Sequence, residues 1–241
     1  MIEIPWLSES NYDFPPAESA LLEPNGLLAG GGDLSANRLI AAYKQGIFPW
    51  YEEDQPILWW CPNPRAVLFP NELKVSRSLA KTLRQKHFEM RFDQNFEEVI
   101  RNCAAPREEG GGTWITEEMI QAYCHLHEIG VAHSIETWQE GKLTGGLYGL
   151  SIGQVFFGES MFSFRANASK IAFVHLVKYL QEWHFPIIDC QVSNPHLESL
   201  GTREIPFDQF KSMISSHVNK TPGGVWMPEN SYNNLTFRST T

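Results

Sequence analysis

Between Ala132 and Phe162 the chain alternates apolar and polar residues in three runs, and no other stretch restricts its folding as tightly. Ala132 to Trp138 alternates, Glu140-Gly141-Lys142 turns, and Leu143 to Leu150 returns. Ile152-Gly153 turns again, and Gln154 to Phe162 makes a third strand. A side-chain period of two, broken by glycine turns, predicts an antiparallel meander with one face on a core. From Ala168 to Glu182 the period becomes helical, with Ile171, Val174, Val177 and Leu180 facing inward and Asn167 at the cap. Ile187 to Cys190 reads as a buried strand and Pro195 to Leu200 as a short helix. Pro206 opens a last helix to about Val218.

Upstream the order is mixed. Ala66 to Phe69 predicts a short strand, Ser76 caps a helix to about Lys86, and Phe88 to Phe92 predicts another strand. Asp93 is expected to cap a helix to about Cys103, and Thr116 one that ends at Gly130. The charged, glycine-rich run from Arg107 to Gly112 reads as a loop. Before residue 63 the chain is rich in Pro, Gly and Trp and signals one helix well. Ser35 is its N-cap, Leu39, Ile40 and Tyr43 form its stripe, and Gly46 stops it. Glu23-Pro24-Asn25-Gly26 and Gly30-Gly31-Gly32-Asp33 read as turns. The triple glycine lacks the GK[ST] ending of a phosphate loop. The expected class is α+β, with a small irregular N-terminal domain over 1–62 and a larger domain over 63–241.

Two of the strands lose their apolar character abruptly. Val155-Phe156-Phe157 runs into Gly158-Glu159-Ser160-Met161-Phe162-Ser163, and Pro186-Ile187-Ile188 runs into Asp189-Cys190-Gln191. A buried carboxylate or amide is costly unless paired, so two neighbouring strands ending this way suggest a polar site. Two merely structural hydrogen-bonding clusters would leave the same trace. With 19 basic against 28 acidic residues the net charge is −9, so any nucleic-acid contact must use a local basic patch. Such a patch is available: Arg77, Lys81, Arg84 and Lys86 fall on or near one helical face, with no carboxylate from Lys74 to Lys86. Cys61, Cys103, Cys124 and Cys190 form no CxxC or zinc spacing, and His125, His127 and His133 form no ligand triad. No metal is expected. Free thiols, no basic leader and no long apolar run lead us to expect a cytoplasmic protein with no membrane contact.

Six spaced segments carry a resemblance. They are Glu23-Pro24-Asn25-Gly26-Leu27-Leu28-Ala29, Gly46-Ile47-Phe48-Pro49-Trp50, Ile57-Leu58-Trp59-Trp60, Gly112-Thr113-Trp114-Ile115-Thr116, Phe157 to Ser163, and Ile188 to Gln191. Together, in order and over nearly the whole chain, they resemble the bacterial leucyl/phenylalanyl-tRNA–protein transferases. The resemblance implies an aminoacyltransferase that moves Leu or Phe, and Met less well, from Leu-tRNA or Phe-tRNA to proteins with N-terminal Lys or Arg. The product is a bacterial N-degron. The resemblance also implies a small N-terminal domain, a GNAT-like (acyl-CoA N-acyltransferase-like) C-terminal domain, no cofactor and no acetyl-CoA. We expect a monomer.

Residue by residue, the resemblance places Asp189 and Gln191 at the reacting centre and Glu159 against the donor's terminal adenosine or aminoacyl group. It implies that Trp50 and Trp114 stack on the terminal adenine, with Tyr43 and Tyr123 adding hydroxyl contacts. Arg77, Lys81, Arg84 and Lys86 are the expected tRNA contacts. Leu147, Phe156, Met161, Leu180 and Ile188, with Ser163 nearby, are the expected aminoacyl pocket. Leu147 and Leu180 sit where family members carry Met and Phe. Glu108, Glu109 and Glu159 are conceivable contacts for the acceptor's cation. An acyl-CoA enzyme on the same scaffold would want a [QR]xxGx[GA] loop after the meander, and none follows. A non-catalytic tRNA-binding module and a peptidoglycan-bridge aminoacyltransferase are the other rivals.

Overall fold

The computed structural model describes residues 3–85, 87–105, 114–224 and 226. Two sheets divide the strands. The first is four-stranded, in the order β1-β2-β4-β3, from β1 (Trp6–Leu7), β2 (Leu27–Gly31), β3 (Phe48–Pro49) and β4 (Leu58–Trp60). The sequence reading of an irregular N-terminal segment is therefore corrected. Strands this short, built from Gly, Pro and Trp, carry too little alternation to be seen as strands. Helix α1 (Ala36–Tyr43) stands between them as expected, with Ser35 Oγ accepting from Arg38 N.

The second sheet has seven strands in the order β11-β5-β10-β9-β8-β7-β6. They are β5 (Arg65–Leu68), β6 (Glu89–Phe92), β7 (Ala132–Gln139), β8 (Lys142–Ile152), β9 (Val155–Ser163), β10 (Ile187–Gln191) and β11 (Arg203–Ile205). β7, β8 and β9 are the expected meander. β9 and β10 pair in parallel, and every other pairing in this sheet is antiparallel. Period-two alternation sends Leu147, Phe156 and Ile188 to one face and Tyr148, Phe157 and Ile187 to the other.

Each face has its own core. On the Leu147 face lie α2 (Arg77–Gln85) and the long α5 (Ala168–Glu182). On the Tyr148 face lie α1, α3 (Phe96–Ala104), α4 (Glu117–Glu128), α7 (Phe207–His217) and the apolar residues of the first sheet. The short α6 (Pro195–Glu198) follows β10. The fold class is mixed α and β.

Two caps differ from expectation. Asp93 does not cap α3. It has a left-handed backbone, and its carboxylate accepts from Ser134 N at 2.7 Å and contacts His133 Nδ1 at 2.8 Å. The start of α3 is satisfied by Glu136 on β7, whose Oε1 accepts from the backbone of Gln94 and Asn95 at 2.9 and 2.7 Å. Asn167 likewise is left-handed and makes no side-chain cap; Ser163 Oγ accepts from Ser169 N at 3.3 Å instead. In both cases a side chain from a strand reaches the helix end, which local sequence does not reveal.

Candidate active site

The site begins where β9 and β10 part. Their pairing runs Ile187↔Val155, Ile188↔Phe156, Asp189↔Phe157 and then stops. Each strand carries an irregularity at that point. Against β8, Tyr148 pairs with Ser160 and Gly149 with Gly158, so Glu159 is the extra residue of a bulge. Against β5, Val67 pairs with Asp189 and Ala66 with Gln191, so Cys190 is the extra residue and Gln191 is left-handed. Bulges bend a strand and re-aim its side chains, and here they point Glu159 and Gln191 at each other across the gap. Gln191 Nε2 donates to Glu159 Oε1 at 3.4 Å.

Glu159 is held from behind. Tyr43 Oη donates to its Oε1 at 2.8 Å, Tyr123 Oη to its Oε2 at 3.3 Å, and the two phenols contact each other at 2.5 Å. Both tyrosines are fully buried. Glu159 as a residue keeps partial exposure toward the cavity, while its carboxyl is ringed by protein. Burial raises its pKa from 4.5 to about 8; Asp189 adds to the rise, and the Tyr43 and Tyr123 hydroxyls and Arg65 oppose it. Burial and then the nearby Glu159 raise both phenols well above their ordinary value, so they remain hydrogen-bond donors.

Asp189 faces away from the gap. Arg65 Nε and Nη2 bond its two oxygens at 2.8 and 2.6 Å, and both side chains are completely buried. The guanidinium lies between the rings of Phe48 and Phe210, at 4.9 and 4.7 Å from their centroids. Asp189 Oδ1 also accepts from Gln191 N at 3.0 Å, which pins the left-handed turn. Sequence reasoning missed Arg65. The available signal was a cation leading the apolar run Ala66-Val67-Leu68, since a buried charge demands a partner.

A cavity of about 660 Å³ passes through the gap. On the Tyr148 face Phe48, Pro49, Trp50, Trp114 and Phe162 line it; on the α5 face Leu147, Phe156, Met161, Phe173 and Leu176 do. Gly158, Glu159, Cys190 and Gln191 stand at the passage between. Burial raises the Cys190 thiol far above its ordinary value, which removes it as a nucleophile at neutral pH.

Most of the expected residues therefore meet in one place. Trp50, Trp114, Leu147, Phe156, Glu159, Met161, Ser163 and Gln191 all line the cavity. Five do not line it as expected. Leu180 and Ile188 are on the right face but deeper, and Leu176 and Phe173, one and two turns back along α5, take the wall. Periodicity identifies a face and says nothing of depth. Tyr43 and Tyr123 are sealed in the core, with hydroxyls engaged by Glu159 and each other rather than turned to the cavity. Asp189 is behind the wall as well. Arg77, Lys81 and Arg84 are exposed along α2, with Leu79, Ala80 and Leu83 buried on its other side. Lys86, Glu108, Glu109 and the loop from Arg107 to Gly112 lie outside the described residues. The described residues hold no cluster of three His, Cys, Asp or Glu that could bind a metal, and no helix among them is long and apolar enough to cross a membrane.

Comparison with known proteins places the chain among relatives. The family described as leucyl/phenylalanyl-tRNA protein transferase matches residues 67–215, and the one described as its N-terminal domain matches residues 32–63. The leucyl/phenylalanyl-tRNA–protein transferase of Nitrosospira multiformis is 61% identical over 216 residues, covering 90% of this chain and 93% of that one. Those of Aromatoleum aromaticum and Stutzerimonas stutzeri are 57% and 56% identical, over 94% and 92% of this chain and 95% and 98% of theirs. Among solved structures, L-PGS from Bacillus licheniformis matches at a TM-score of 0.39 and 9% identity, over 69% of this chain and 53% of that one, too loosely to define a shared fold.

Proposed function

Because this chain belongs to the leucyl/phenylalanyl-tRNA–protein transferase family, and is thus an aminoacyltransferase acting from tRNA to protein, we propose that it moves Leu or Phe, and Met less well, from aminoacyl-tRNA to an N-terminal Lys or Arg. The product is an N-degron, the setting is the cytoplasm, and the enzyme works as a monomer without a cofactor. The observation that carries the reading is the two-sided cavity, with a carboxyl and an amide bonded across its waist.

The donor's terminal adenosine stacks on the Trp50 and Trp114 side, where base stacking contributes about 1–3 kcal/mol and reads no sequence. The aminoacyl side chain enters the α5 side among Leu147, Phe156, Met161, Phe173 and Leu176. An apolar pocket distinguishes one methylene by only about 1–3 kcal/mol, so a graded preference among Leu, Phe and Met is expected. Leu147 helps to set the size of that pocket. The ester then lies in the gap, beside Glu159 and Gln191.

The reaction is direct aminolysis: the acceptor's neutral α-amine attacks the ester carbonyl, the bond from that carbon to the ribose 3′-oxygen breaks, and the proton lost by the amine ends on that oxygen, with no covalent enzyme intermediate. With Gln191 Nε2 turned to Glu159, its Oε1 accepts from the attacking amine and orients the lone pair. Glu159 takes a hydrogen bond from the donor's α-ammonium or ribose. Asp189 is a positioning group: with Arg65 it fixes the turn that presents Gln191. Accordingly, Asp189→Ala lowers the transfer rate far more than the affinity for aminoacyl-tRNA, and equal losses in both would remove this role.

The division at residue 62 belongs to the same reading. The first sheet is confined to residues 6–60 and the second to residues 65–205, which supports two domains; the GNAT-like character of the second remains part of the proposal. The test mixes protein with labelled Leu-tRNA and two peptides that start with Lys or Glu. Label in the Lys peptide alone is the expected result. Charged tRNA bound without transfer would favour a binding module.

A further inference from the structure

Behind the α5 half of the cavity sits an aromatic residue that no reading above has used. Trp226 stacks on His133 of β7 at 4.1 Å and 10°, and meets Trp183 edge-on at 5.1 Å. It also packs on Phe92 at 6.2 Å and on Phe156 at 5.8 Å. Phe156 lines the cavity and Trp226 does not. The indole is thus a second layer beneath one wall of the pocket. It arrives on the segment after α7. Gln154 Nε2 donates to Thr221 O at 3.1 Å, and the backbone of Gly224 lies so close on the Trp183 indole that any side chain at 224 would overlap it.

The Phe156 ring has little room to move otherwise. It lies over Gly149 of β8, where an added Cβ would come within 2.6 Å of it. It is enclosed by Ile188, its register partner on β10, and by Trp226. Interiors at this density transmit the shape of one layer to the next. We propose that Trp226 is a specificity-determining residue: by backing Phe156 it sets the depth of the aminoacyl pocket, and hence the balance between Phe and Leu. The inference rests on the donor reading above. Removing the indole leaves a hole into which Phe156 recedes. The pocket deepens and the larger aromatic substrate gains over Leu.

The experiment compares kcat/KM for Phe-tRNA and Leu-tRNA, with a Lys-starting peptide, in the unmodified protein, Trp226→Ala, Trp226→Phe, Phe156→Ala and the Phe156→Ala/Trp226→Ala double variant. Trp226→Ala is expected to raise the Phe/Leu ratio at least about fivefold, a modest share of what an apolar pocket can discriminate. Trp226→Phe should restore most of the original ratio. In the Phe156→Ala background, the second substitution should leave the ratio unchanged. Equal losses for both donors, or an unchanged ratio, would overturn the inference and leave Trp226 a structural residue. If Trp226→Ala does not fold, Trp226→Leu replaces it with the same expectations. Absence of transfer by the unmodified protein would instead count against the donor reading itself.

Discussion

At the scale of the residue, Glu159 is the most consequential group. Its pKa of about 8 lies above the ordinary 4.5 of an unfolded glutamate. Between those values the folded state keeps a proton that the unfolded state has released, so stability falls as pH rises across this window and levels off above it. Glu159→Gln should flatten that slope in melting temperature measured from pH 5 to 9; an identical slope would assign the shift elsewhere. Tyr43→Phe removes a hydrogen bond that opposes the rise, so the pH at which stability levels off should move upward. The Arg65–Asp189 pair makes a second prediction. Removing one partner strands a buried charge, so Asp189→Ala should cost about 3–5 kcal/mol in urea unfolding. A loss below about 1 kcal/mol would mean that water reaches Arg65.

At the scale of the element, the parting of β9 from β10 depends on tolerances in β8 and β9. A Cβ at Gly149 would run into the carbonyl oxygen of Phe157 and the Phe156 ring, whereas one at Gly158 would meet only Asp189 O at 3.5 Å. Gly149→Ala should therefore destabilise by about 1–3 kcal/mol in urea unfolding, and Gly158→Ala by clearly less. Equal effects would place the strain elsewhere. The meander was legible because period-two alternation and two glycine turns act locally, and α1 and α4 because Ser35 and Thr116 cap from within their own helices. The rest came from contacts across the chain. Arg65 finds Asp189 124 residues later, and Glu136 caps a helix some forty residues before it. Neither the bulge at Glu159 nor that at Cys190 alters the hydrophobic pattern, so a polar site could be read where its aim could not.

At the scale of the molecule, a chain of net charge −9 has to hold a polyanion. The exposed cations of α2 are the proposed contact, and reversing Arg77, Lys81 and Arg84 to Glu should weaken aminoacyl-tRNA binding about tenfold or more. With so few phosphate contacts, the slope of log affinity against log salt should be on the order of three. Transfer from a short aminoacyl-adenosine donor should survive the reversal; losing that too would mean that α2 supports the fold instead. The cavity that crosses the large sheet has a broader consequence. Its two chambers are walled by separate hydrophobic cores, one under α5 and one under α3 and α4. Among the described residues the sheet is a partition with a doorway where β9 and β10 part; on the proposed reading, changes in the α5 core retune which amino acid is accepted while the nucleotide's berth keeps its shape, and the choice of cargo drifts independently of the carrier.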